Sequence, residues 1–128
     1  MENEAMAINW LAVFAGTIVA FIFGAIWYHP KVMGTKWAAG SGIDMSKISG
    51  TPVFAMAAQT LALFLLALVV GITATTDALF TAIFAILAVG VHVVSAGAFL
   101  QKSGAALAID FGYLFLSGAI MIVAQGIF

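Results

Sequence analysis

Among the few polar groups in the long apolar stretches, five could act together: Gln59, His92, Ser95, Asp110 and Tyr113. A carboxylate, an imidazole, an amide, a hydroxyl and a phenol can bind a polar ligand or hold and pass a proton. Asp110 constrains the rest, because a charged Asp in hydrocarbon costs about 2.5 to 3.5 kcal/mol on insertion scales. It must face protein, be paired, or be neutral. Tyr113 follows Asp110 by three positions and Ser95 follows His92 by three, so on helices each couple shares a face. Counted inward from one membrane surface at about 1.5 Å per residue, Gln59, His92 and Asp110 all lie roughly 9 to 12 Å deep. This common depth predicts one polar layer in which His92 faces Asp110. The simpler alternative is a layer that only holds helix register, through interhelical hydrogen bonds of about 0.6 to 2 kcal/mol each.

Other chemistries find no support. The chain has two His, His29 and His92, and no Cys, so a thiolate site, a disulfide frame and a His-rich metal site are all out of reach, and no cofactor is implied. His29 follows Trp-Tyr and precedes Pro, and is read as a solvated imidazole at the surface. No Ser-His-Asp set or metalloprotease motif is present, and Gly40-Ser41-Gly42 lacks the strand-to-helix context of a nucleophile elbow or a phosphate cradle. The expectation is a protein that is not an enzyme.

The elements that position these groups follow from composition. Of 128 residues, 65% are hydrophobic and 7% charged, against roughly 25% charged in a soluble domain. Only helices of about 20 apolar residues satisfy their own backbone across about 30 Å of hydrocarbon. Such runs fall at about residues 6–28, 52–72, 78–100 and 104–127, with a long loop at 29–51. The expected fold is all-α: a polytopic membrane protein of four transmembrane helices in an antiparallel bundle. Thr51-Pro52 reads as a cap with a first-turn proline, Thr76 or Asp77 can cap the third span, and Ser103 the fourth.

Trp10, Trp27, Tyr28 and Trp37 stand where interfacial aromatic belts occur and are read as anchors reaching headgroup water. Ala12, Gly16, Ala20 and Gly24 repeat every fourth position in the first span, and Gly104, Ala108 and Gly112 do so in the fourth. Stripes without bulk let helices approach closely, so these two spans are expected neighbours, with surface to spare for a second copy. Lys31, Lys36 and Lys47 lie in the first loop and Lys102 in the third. The positive-inside rule then puts both loops in the cytoplasm and both termini on the outer, periplasmic side of an inner membrane.

The chain resembles the bacterial and fungal membrane proteins grouped as domain of unknown function 1761. The resemblance rests on NWLAV at Asn9 to Val13, on FIFGAIWYHP followed by VMGTKW between Phe21 and Trp37, and on DFGYLFLSGAIM at Asp110 to Met121. It extends over nearly the whole chain and implies four spans, with no catalytic residue to carry over. It also implies a neutral amide where this chain has Asp110, so a role for that charge comes from this sequence alone.

The lipid bilayer is the partner that composition demands. A second copy or a larger membrane complex is the candidate protein partner, while a net charge of −1 with no Arg argues against nucleic acid. Two functions are expected: a non-enzymatic scaffold or accessory subunit, or, as the alternative, a small channel or transporter using the Gln59/His92/Asp110 layer.

Overall fold

Apolar runs of this length fold as helices because each backbone group finds its partner four residues away. The computed structural model describes residues 2–128, with side chains from residue 5 onward. A short α1 (Glu2–Ala7) leads into α2 (Trp10–Trp27), α3 (Thr35–Ser41), α4 (Val53–Ala74), α5 (Leu79–Phe99) and α6 (Gly104–Ile127). Among these, α2, α4, α5 and α6 have 18, 22, 21 and 24 residues and are long and apolar enough to cross a membrane. Their large apolar side chains point outward around the bundle, among them Leu11, Phe14, Ile18, Phe80, Phe84 and Val91. Such a surface is tolerable in lipid and not in water.

The helix ends show how local chemistry sets the turns. Asn9 accepts the Ala12 N–H and Ser103 the Ala106 N–H, each at 3.1 Å, capping α2 and α6. Asp77 and Gln101 adopt left-handed φ values of 52° and 61°. Beside them Ala78 N–H reaches Thr73 O at 2.9 Å and Lys102 N–H reaches Gly97 O at 3.1 Å, closing each helix on a spare carbonyl. Asp77 thus ends α4 and does not cap α5, whose cap position is Ala78 without a side-chain bond. Pro52, not Thr51, holds the cap position of α4.

Short turns make α4, α5 and α6 antiparallel, and α6 is the hub, packed on α2 and α5 and taking α3 against its first turns. On α2, Ala12, Gly16 and Ala20 are buried. A Cβ at Gly16 would sit 3.4 Å from Met121, so the two backbones approach closely there. On α6 the packed line runs through Ala106, Asp110, Tyr113, Ser117, Met121 and Ala124. Gly104 and Ala108, read as part of a packing stripe, are exposed, and a Cβ at Gly104 would meet nothing. Each lies two residues from a member of the packed line, about 200° around a helix that turns about 100° per residue. Gly112 alone of that stripe meets α2, at the Trp27 ring.

The stretch after α2 is more ordered than a plain loop. Pro30 holds His29 extended, and a π-helical turn over Pro30–Gly34 follows, with Gly34 N–H bonded to His29 O at 3.0 Å. It reverses the chain into α3, which ends at Gly42 with φ 73°. Ser103 N–H donates to Gly40 O at 2.8 Å, tying this segment to the start of α6.

Candidate functional site

The antiparallel order brings the end of α2, the start of α4, the later part of α5 and the first half of α6 to one end of the bundle, with α3 packed on α6 and its Trp37 on Tyr28. Between these elements lies a cavity of about 530 Å³. Its apolar wall includes Phe21, Met56, Val93 and Leu114, and its polar groups are Tyr28, Gln59, Lys102, Asp110 and Tyr113.

Asp110 is 8% exposed, and both of its oxygens are engaged. The Tyr28 hydroxyl donates to Oδ1 at 2.6 Å and the Lys102 ammonium to Oδ2 at 3.0 Å. A buried carboxylate needs such partners, since charge in a low dielectric is tolerable only when paired and hydrogen-bonded. Tyr28 lies just past the end of the α2 span. Burial first, then its hydrogen bond to the Asp110 carboxylate, pushes the phenol well above its ordinary range, so Tyr28 acts as a donor.

A second set of bonds runs beside the first. Tyr113 donates to Ala20 O at 3.2 Å and accepts from Gln59 Nε2 at 3.3 Å. A Cβ at Gly24 would stand 2.8 Å from the Tyr113 oxygen, so only glycine leaves room for this phenol against α2. The rings form a connected wall: Tyr28 meets Tyr113 edge-on at 5.4 Å and Trp37 edge-on at 5.3 Å, with Phe23 stacked on Tyr113 at 5.9 Å. The Lys102 ammonium sits 5.5 Å from the centre of the Trp37 ring. The buried Trp37 indole N–H has no hydrogen-bond partner among the described residues.

Gln59, Asp110 and Tyr113 thus meet at the cavity, but His92 and Ser95 do not. Both are exposed on the outer side of α5. The packed line of α5 runs through Ala82, Ile86, Gly90 and Gly97, and His92 and Ser95 stand two residues off it, about 200° around the helix. Common depth says nothing about azimuth, and the partner of Asp110 is Lys102 in place of His92. The reading of Trp27 and Tyr28 as anchors reaching headgroup water also fails. Trp27 donates its N–H to Ile109 O at 3.0 Å and Tyr28 turns inward to Asp110, because α3 and α6 cover this end of α2. Trp10 is 41% exposed, with its N–H on Ala5 O. His29 is exposed, and its Nδ1 accepts the Lys31 N–H at 3.1 Å, a turn-capping role.

Lys102, Tyr28 and Trp37 were not legible as site residues. One signal was present for Lys102: it stands two helical turns before a carboxylate on the same strand of sequence, within reach of a four-carbon stem folded along the helix axis. No group of three or more His, Cys, Asp or Glu able to hold a metal occurs among the described residues.

No curated protein and no solved structure matches the chain. A family model described as a protein of unknown function (DUF1761) matches residues 11–126, which take in α4 and α5, all but the first residue of α2 and the last of α6, and each residue of the cavity. This chain therefore belongs to the DUF1761 family of proteins of unknown function.

Proposed function

We propose that the chain is a non-enzymatic small-molecule-binding protein of the membrane, of the transporter type, whose site is the cavity around Asp110. One observation carries this: a space of about 530 Å³ with apolar walls and a few convergent polar groups. Ligand pockets typically enclose about 300 to 1,000 Å³ with that same division of labour. The engagement of both Asp110 oxygens favours binding over acid–base turnover. The four Lys flank this end of the bundle, so by the positive-inside rule the cavity opens to the cytoplasm, with both termini on the outer side of an inner membrane.

The test is a melting-temperature and tryptophan-fluorescence screen of the detergent-purified protein with cationic, anionic and neutral aromatic compounds. At least one class should raise the midpoint and alter emission, and Val93→Phe, which fills the cavity, should remove the effect. No response to any class would sink the proposal.

A second reading, as a scaffold or homo-oligomer, draws on a groove of about 430 Å³ between α2 and α6, lined by Ala15, Val19, Phe23, Ala119 and Val123. Its lining is apolar and includes small residues, the kind of surface on which membrane helices pack. Ala119→Trp should then reduce the mass of the detergent-solubilised particle, and an unchanged mass would count against it.

A further inference from the structure

We infer that the cavity takes an organic cation, and that the Lys102 ammonium is a resident stand-in which the ligand displaces. The inference rests on the cavity being a binding site, as proposed above, and adds the class of ligand and the way it enters.

The Lys102 ammonium lies between a carboxylate oxygen of Asp110 at 3.0 Å and the Trp37 ring, 5.5 Å from its centre. A carboxylate on one side and an aromatic face on the other is the arrangement by which proteins hold alkylammonium groups. Tyr28 and Tyr113 extend the aromatic wall at 5.3 and 5.4 Å spacings. Aromatic faces carry negative potential, and once Lys102 turns away the Asp110 carboxylate adds to it, so the vacated pocket attracts cations and repels anions. Phe21, Met56, Val93 and Leu114 offer surface for apolar substituents on such a cation. They leave an inorganic ion unsatisfied.

Lys102 is suited to leave. It sits on the connection between α5 and α6, beside Gln101 with φ 61°, and its side chain is 20% exposed where that of Asp110 is 10% exposed. Its flexible stem ends in a strongly hydrated ammonium that can turn out to the membrane surface. The Tyr28 hydroxyl keeps Oδ1 of Asp110 occupied throughout. Displacement therefore exchanges one cation for another at Oδ2 and leaves no bare charge in the cavity.

Tetraphenylphosphonium, tetraphenylborate and neutral triphenylphosphine oxide present similar aromatic bulk with charges of opposite sign and none, so equilibrium dialysis against the full chain in dodecylmaltoside tests the inference. Tetraphenylphosphonium should bind saturably and more tightly than the other two. Lys102→Met, which keeps the stem and removes the competitor, should tighten it about ten-fold or more, and Asp110→Asn should weaken it by at least as much. Wild-type protein supplies a readout independent of variant folding. Acetylation of Lys102, normalised to the exposed Lys31, Lys36 and Lys47, should rise severalfold when tetraphenylphosphonium saturates the site.

Tighter binding of the borate or the neutral oxide would overturn the cation assignment and leave the cavity proposal standing. Weaker binding to Lys102→Met, or an unchanged or lower acetylation of Lys102, would overturn the displacement. Saturable binding of none of the three would overturn the inference, and failure of every class in the broader screen would remove the binding site itself.

Discussion

The hydroxyl of Tyr28 and Oδ1 of Asp110 stand 2.6 Å apart although 82 residues separate them in the chain. This bond joins the end of α2 to the second turn of α6 and sets one wall of the cavity. A hydrogen bond to a charged group is worth about 1.5 to 3 kcal/mol, against about 0.5 to 1.5 for a neutral one. Tyr28→Phe should therefore destabilise the detergent-solubilised protein more than Tyr113→Phe, whose bonds are to a carbonyl and an amide. Denaturant titration of both variants checks the order, and the reverse order would show that Asp110 does not depend on Tyr28.

Gly24 and Tyr113 give a packing prediction. Adding a methyl at Gly24 places carbon 2.8 Å from the Tyr113 oxygen and 2.9 Å from Cε1, with the rigid ring unable to yield without losing Ala20 and Gln59. Overpacking of this kind costs about 1 to 3 kcal/mol. Gly104→Ala is the control, because its Cβ meets nothing and alanine favours the helix by up to about 1 kcal/mol. The two melting midpoints should move in opposite directions.

His92 and Asp110 should behave as independent residues. His92 is exposed on α5, so His92→Leu should leave the melting midpoint and cation binding unchanged. Asp110→Asn removes the partner of Lys102. The full penalty for breaking a buried pair is about 3 to 5 kcal/mol, but Lys102 can rehydrate, which lowers the expected loss to roughly 1 to 3. A double variant should show additive losses. Coupling above about 0.5 kcal/mol would restore a His92–Asp110 pair.

Orientation is tested by single cysteines at Ser46 and Asp77, which lie at opposite ends of the bundle and are both exposed. An impermeant thiol reagent added outside intact cells should label Asp77→Cys and spare Ser46→Cys. Labelling at position 46 alone would invert the topology and turn the mouth of the cavity outward.

The four spans and the Ser103 cap were determined by the sequence alone, because hydrocarbon thickness demands a certain run length and cap chemistry is local to a few residues. Of the five residues expected in one polar layer, Gln59, Asp110 and Tyr113 line one cavity. Azimuth was decided only by the tertiary structure. In a soluble helix the polar side marks the surface, but these helices are apolar all round, so periodicity does not say which side meets protein and which meets lipid. His92 and Ser95 went outward, and Gly104 and Ala108 fell off the packed face, for want of that signal. The return of α3 onto α6 was likewise a tertiary decision. Gly34, Gly42 and the Gly40–Ser103 bond let the chain fold back, bringing Trp37 against a Lys102–Asp110 pair far from it in any linear reading. The long side chains of Lys102 and Tyr28 then found Asp110 because burial leaves a carboxylate in need of donors, and these were the two that the folded bundle end put within reach.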